Sequence, residues 1–157
     1  MLKMLDYTAI KDLFITIKDS QQETLMPKKE IIHELENPNL PFSECIKIGD
    51  EYHFAGTLPD IADGEPVDES LAAQTKSALK NMKARLVARG LTPNDVYDVD
   101  IMLSGTPEDM KITDPIYVQF LDDEKVEIRP IRRCGGWNWI PAGAKIEIQF
   151  VAVDQSK

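Results

Sequence analysis

The chain is poor in the residues that special-purpose folds depend on: only two cysteines and two histidines occur among its 157 residues. Cys45 and Cys134 form no C-x-x-C pair, so neither a disulfide framework nor a cysteine-rich zinc site is expected, and both read as reduced thiols. His33 and His53 each lack a second His or Cys two to four residues on, the spacing that local zinc sites use, so no metal is expected. No apolar run reaches the roughly 18 residues of a membrane-spanning helix. The first 28 residues have no basic start, sustained apolar stretch and small-residue cleavage site, so no secretory signal is read there and the cytoplasm is the expected compartment. Basic residues are also in deficit, 18 Lys and Arg against 27 Asp and Glu, a formal charge of −9. Such a surface repels phosphate backbones, and no basic cluster interleaved with aromatics offsets it, so nucleic acid is not an expected partner.

What remains is the composition of an ordinary globule, 43% hydrophobic and 29% charged, of a length suited to one self-sufficient core. Residues 1–28 stand apart: four Lys balance four acids, leaving the whole negative charge to the remainder. Leu2, Leu5, Ile10, Leu13 and Ile17 fit a short amphipathic helix that Pro27 ends, so 1–28 reads as an extension and 29–157 as the domain.

Within the domain, apolar pairs Ile46/Ile48 and Tyr52/Phe54 flank Gly49-Asp50, the pattern of a tight hairpin. Residues 57–66, with two prolines and a glycine, read as loop. Asp68 is the expected cap of a helix whose stripe is Leu71, Thr75, Ala78, Leu79, Met82 and Leu86. Lys83, Arg85 and Arg89 suit its C-terminal dipole, and Gly90 stops it. Val99, Ile101 and Leu103 alternate as a strand. Thr106-Pro107-Glu108-Asp109 opens a second helix, which Asp114-Pro115 is expected to restart, with Ile116, Tyr117, Phe120 and Leu121 on its apolar side. Two strands, Val126 to Cys134 and Ala144 to Val153, close the chain. The order β-β-α-β-α-β-β implies an α+β sheet covered on one face by two helices.

Several residues fit this scheme uneasily. Arg132 shares strand parity with Val126, Ile128 and Cys134, so its guanidinium points among apolar neighbours. It needs a partner there, either an acid such as Glu127 or Glu147 or the carboxylate of a ligand. Glu147 lies opposite the isoleucines of the last strand. It is a solvated strand residue unless another subunit covers that face, in which case it can orient or activate a water. Gly135-Gly136 weaken a strand and mark a bulge or close backbone approach. Trp137 and Trp139 beyond them read first as core or interface anchors. Cys134 adjoins Arg133, which can lower a thiol pKa, but no histidine is near enough in sequence to activate it. Val151, Val153 and the tryptophans put apolar surface on the face away from the helices, which points to a closed oligomer.

Five segments taken together resemble the RidA/YjgF family of imine deaminases. They are Gly56-Thr57-Leu58-Pro59, Gln74-Thr75 through Ala78-Leu79 to Asn81-Met82, Pro130-Ile131-Arg132-Arg133-Cys134, Ile140-Pro141 and Ile146-Glu147-Ile148. The resemblance implies a chorismate-mutase-like α+β subunit assembled as a homotrimer with clefts between subunits. It further implies hydrolytic release of ammonia from enamine or imine forms of 2-amino acids, giving 2-keto acids without a cofactor. Carried over by position, Arg132 would grip the carboxylate of a small substrate, Glu147 would hold the attacking water, and Cys134 and Gly56 would line the cleft. Three positions depart from the family: Phe42 stands where it has a cleft tyrosine, Ala55 where it has a serine, and Asp114 where it has an asparagine. Arg133, Gly135 and Gly136 also replace small or β-branched residues beside the arginine, so that with the hydroxyls missing at Phe42 and Ala55 the resemblance implies a more apolar pocket flanked by an extra cation. The alternative function is a keto-acid-binding protein on the same scaffold without turnover. An RNA-cleaving activity, sometimes attached to this family, is at odds with the −9 charge.

Overall fold

The computed structural model describes residues 28–32 and 40–156. The expected helix within 1–28 and the position of His33 lie outside the described residues. Ten elements follow in order: strands β1 (Lys29–Ile32), β2 (Cys45–Ile48), β3 (Glu51–Thr57), β4 (Ile61–Ala62) and β5 (Glu65–Pro66), helix α1 (Leu71–Val87), strand β6 (Val96–Leu103), helix α2 (Met110–Asp123), and strands β7 (Ile131–Gly136) and β8 (Ile146–Val153). Six strands form one sheet in the order β1-β2-β3-β8-β6-β7, and β4-β5 is a separate small hairpin. Every neighbouring pair in the large sheet is antiparallel except β6 and β7, which run parallel.

The alternation in β8 shows why the sheet has one covered face. Ile146, Ile148, Phe150 and Ala152 are buried, while the residues between them are half-buried or exposed. The buried set packs with Leu79, Met82 and Leu86 of α1 and Tyr117 and Leu121 of α2 in one core. Fully burying side chains of this size stabilises a fold by roughly 1.5–3 kcal/mol each. Phe54 and Phe150 stack with ring centroids 4.4 Å apart at the centre of that core. Both helices therefore lie on one face, as the element order implies, and on the other face Met102 packs with Ile140, Ala144 and Leu58 in a smaller cluster among the described residues. No helix among the described residues is long and apolar enough to cross a membrane. Cys45 and Cys134 are free thiols.

Local chemistry differs from expectation in five places. First, α1 is capped by Ser70, which accepts from the Ala73 amide at 3.2 Å, and Asp68 stands one step outside, accepting from the Ser70 amide at 2.7 Å. Second, the loop after β3 contains the β4-β5 hairpin, whose turn puts Asp63 and Gly64 at positive φ. Third, α2 does not restart at Asp114. A 3-10 turn over Pro107–Asp109 leads straight into it, Asp109 accepts from the Thr106 amide at 2.8 Å, and Pro115 lies inside the helix. The capped entry and the buried Thr113, Tyr117 and Leu121 hold the helix across the missing N–H. Fourth, the strand expected from Val126 begins only at Ile131, because Pro130 has no N–H for the ladder; Ile128 is 83% exposed. Fifth, β1 adds an edge strand that pairs with β2 and is mostly exposed.

Polar side chains of α1 clamp the loops that carry the site. Gln74, 2% exposed, donates to the Asp68 carbonyl at 2.8 Å and accepts from the Lys145 amide at 2.7 Å, fixing the entry to β8. Asn81 donates to the Leu58 carbonyl at 3.1 Å and to Asp60 at 3.0 Å. Arg85 serves the sheet rather than the helix dipole. Its guanidinium donates to the Ala55 carbonyl at 2.8 Å, the Thr57 hydroxyl at 2.6 Å and the Glu44 carbonyl at 2.7 Å, and it lies 5.3 Å from the centre of the Phe54 ring. Replacing it with methionine keeps much of the stem's packing but leaves three acceptors without these donors. Arg85→Met is expected to cost about 2–4 kcal/mol in urea unfolding. A loss under 0.5 kcal/mol, the ordinary range for a surface substitution, would show that this clamp contributes little.

Candidate active site

The sequence-predicted residues fall into two groups. The first lies at the β7 margin. Parallel register sets Arg132 beside Val99 and Cys134 beside Ile101, and Val99 and Ile101 belong to the core under the helices. Arg132 and Cys134 therefore face the helix side of the sheet. Asp114, on α2, closes the group: Arg132 Nη1 donates to Asp114 Oδ1 at 2.7 Å. The guanidinium also lies 5.6 Å from the centre of the Tyr117 ring. Asp114 and Tyr117, three residues apart on one helix, reach the same arginine because that spacing shares a helix face.

This environment holds Arg132 firmly cationic, with its pKa raised chiefly by the hydrogen bond to Asp114. Tyr117 is pushed up to about 12 by burial, and its enclosed hydroxyl has no hydrogen-bond partner among the described residues. Burial also raises the Cys134 thiol, more than Arg132 lowers it, so this cysteine lacks the depressed pKa of a nucleophile. Arg133 does not act on it. That residue bonds Asp100 at 2.6 Å through Nε and Asp98 at 2.9 Å through Nη2, so the extra cation anticipated beside the pocket is already paired with two acids.

The second group gathers around a bulge in β3, where the pairing with β8 shifts between Phe54 and Thr57. Ala55 donates its amide to the Glu44 carbonyl at 2.8 Å. Phe42, Ala55 and Gly56 line one open groove of about 480 Å³ with Leu40 and Leu58. Phe42 is 54% exposed there. Glu147 lies against Gly56 so closely that a Cβ on this glycine would come within 1.7 Å of the carboxylate oxygen. Any side chain at 56 would displace Glu147, which gives the glycine a steric reason. Burial raises the Glu147 carboxyl above the ordinary glutamate range, the direction that makes a carboxylate a better base near neutrality.

The two groups do not meet within one chain. Arg132, Val99 and Phe150 share one row across the sheet, and Glu147, Met102 and Gly135 share another of opposite parity. Phe150 and Val99 are core residues on the helix side, so Glu147 faces the side away from the helices. The tryptophans are not core anchors of this chain, being 57% and 72% exposed at 137 and 139. Gly135 and Gly136 have no crowded neighbour among the described residues: a Cβ on either would meet none of them within 4 Å. Sequence reasoning missed Tyr117 as a neighbour of Arg132, and missed Arg85 and Gln74 as clamps. The i,i+3 spacing from Asp114 to Tyr117 was the available signal.

Residues 32–154 match the family model described as Endoribonuclease L-PSP. The chain belongs to this family, the RidA/YjgF group. One relative, a RutC family protein of Pyrococcus horikoshii, is 32% identical over 127 residues, covering 79% of this chain and 97% of the relative. Another, the chloroplastic Reactive Intermediate Deaminase A of Arabidopsis thaliana, is also 32% identical, covering 80% of this chain and 66% of the relative. Among solved structures, Escherichia coli TdcF with bound serine aligns with a TM-score of 0.69 at 24% identity, over 80% of this chain and 99% of that one. The α+β fold is thus that of the RidA family, and the reactive intermediate deaminases are its relatives at family level.

Proposed function

We propose that the protein is a cofactor-free hydrolytic deaminase that converts enamine and imine intermediates of 2-amino acids into ammonia and 2-keto acids. The observation that carries this reading is the pair Arg132 and Glu147: an arginine with donors to spare at the sheet margin, and a half-buried carboxylate raised toward a base's working range. They face opposite sides of one sheet, so the reading includes a cleft shared by two copies in a homotrimer, Arg132 from one and Glu147 from the next. Exposed Ile131, Trp137 and Trp139 supply apolar surface for such an assembly.

In this scheme Arg132 holds the substrate carboxylate through its planar fork of donors, and Cys134 lines the cleft as a neutral thiol. Glu147 orients a water and takes one of its protons as the water oxygen bonds to C2 of the imine. The C=N π electrons pass to the nitrogen, which takes a proton from solvent; Glu147 then returns its proton to that nitrogen, the C2–N bond breaks to release ammonia, and the hydroxyl proton passes to solvent as C2 becomes the keto carbonyl. Relatives named as reactive intermediate deaminases support the reaction class. Phe42 and Ala55 favour a second reading, keto-acid binding without turnover, since both lack hydroxyls that the family's pattern has at these positions.

The deciding measurement uses serine dehydratase with serine, which makes 2-aminoacrylate continuously. Adding the protein is expected to speed pyruvate release above the spontaneous rate. Absence of acceleration across imines from several amino acids would overturn the enzymatic reading, and calorimetric binding of keto acids in that case would establish the second.

A further inference from the structure

We propose that Asp114 selects the protonated, zwitterionic imine: it pairs with the iminium nitrogen while Arg132 takes the neighbouring carboxylate. The inference rests on the function proposed above and names the form of substrate that site accepts. Its basis is the half-used ion pair between the two residues. Arg132 spends one of its guanidinium nitrogens on Asp114, and among the described residues it hydrogen-bonds to nothing else. Asp114 spends Oδ1, leaving Oδ2 without a partner among the same residues. Both side chains reach solvent, 25% and 40% exposed. Their immediate neighbours Cys134 and Tyr117 are neutral near pH 7, since burial raises the pKa of each.

Arg129, close enough to act on Tyr117, is itself paired with Asp122 at 2.9 Å, so the site presents a dipole with its charges balanced, and the ligand best matched to it is an opposed dipole. A 2-imino acid in its protonated form is such a ligand: the carboxylate and the C=NH2+ group sit on adjacent carbons and can lie antiparallel to the guanidinium and carboxylate. The enamine tautomer and the 2-keto acid product keep the carboxylate but carry no cation. Each sets an anion beside Asp114, and like charges held close at a binding site are disfavoured. Asp114 would thus favour the electrophilic imine over the enamine, and would weaken the hold on the molecule once ammonia has left. An asparagine, the residue the family pattern has here, can still accept from Arg132 but carries no charge with which to discriminate.

The test is a titration of the full chain that needs no turnover. 2-Aminobutyrate serves as the stable zwitterion and 2-oxobutanoate as the anion, each titrated calorimetrically into the wild type and Asp114→Asn. The wild type is expected to prefer the amino acid, and the substitution to shift the ratio of the two affinities toward the keto acid by about tenfold, the weight of one charge-assisted contact. A merely structural Asp114 would move both affinities together and leave the ratio unchanged, which would overturn the proposal; so would a wild type that binds neither ligand or prefers the keto acid. Because the ratio is read at equilibrium, it stands or falls separately from the imine-hydrolysis assay.

Discussion

Glu147→Gln is expected to reduce imine hydrolysis by about 10²- to 10⁴-fold, the range general-base catalysis contributes, while leaving the folded chain at least as stable at neutral pH. The two effects have one cause. Burial raises the folded-state pKa of this carboxyl, so between the ordinary glutamate value and the raised one the native state binds more protons than the unfolded state. Stability therefore falls as pH rises through that window, and above it the half-buried charge is a standing liability. Glutamine has the same shape and fits beside Gly56, but it carries no charge and accepts no proton. The thermal midpoint of the variant at pH 7 should match or exceed that of the wild type, and the difference should close as pH falls below the usual glutamate range. A large drop in midpoint with an unchanged rate per folded molecule would show a structural glutamate rather than a base.

The elements that announce themselves in the sequence are those whose burial repeats at a regular period. The α1 stripe of Leu71, Thr75, Ala78, Leu79, Met82 and Leu86 is buried without exception, because one helix face meets one sheet. The hairpin at Gly49 is legible because its turn needs a residue at positive φ, and Gly49 has φ of 62°. β8 shows its period of two throughout. Elements that bury little leave little signal: β1 lies at a sheet edge with most of its residues exposed. The extent of β7 was masked by Pro130, across which the apparent alternation from Val126 to Ile128 does not continue.

The site was legible in its parts and not in its arrangement. Strand parity alone puts Arg132 among apolar neighbours and Glu147 opposite the isoleucines of β8. That Arg132 lies on the isoleucines' side depends on the parallel register of β7 with β6, which no local pattern encodes. The acid that partners Arg132 is on α2, and only folding brings Asp114 to it. Arg85 had a visible but equivocal signal. It follows Met82 by three residues and so borders the buried stripe, yet a cation in the last turn of a helix is equally well explained by the dipole. The hydrogen bonds to Ala55 and Glu44 decide between those readings, and they tie the helix to the bulge that makes room for Glu147 beside Gly56.

Two impaired variants are expected to restore activity to each other. If each cleft takes Arg132 from one copy and Glu147 from its neighbour, a trimer containing both Arg132→Lys and Glu147→Gln chains has some clefts with both native residues and others with neither. In a random equal mixture, the arginine side is native in half the clefts and the glutamate side in half, so about a quarter of clefts are intact in a closed ring of identical contacts. Each variant alone stays low. Lysine at 132 keeps the charge but loses the planar fork, which lowers kcat/KM by roughly ten- to a hundredfold, and glutamine at 147 removes the base. Every mixed ring of three has one intact cleft, so co-expression of the two chains, with mixed trimers isolated by differently tagged subunits and freed of both homotrimers, should yield imine hydrolysis near a third of the wild-type rate per cleft. Were each active site built within a single chain, every site would carry one defect and mixing would give only the average of the two variants. The opposed faces of Arg132 and Glu147 in the sheet register predict complementation, and a mixture no faster than that average would remove the shared cleft from the mechanism.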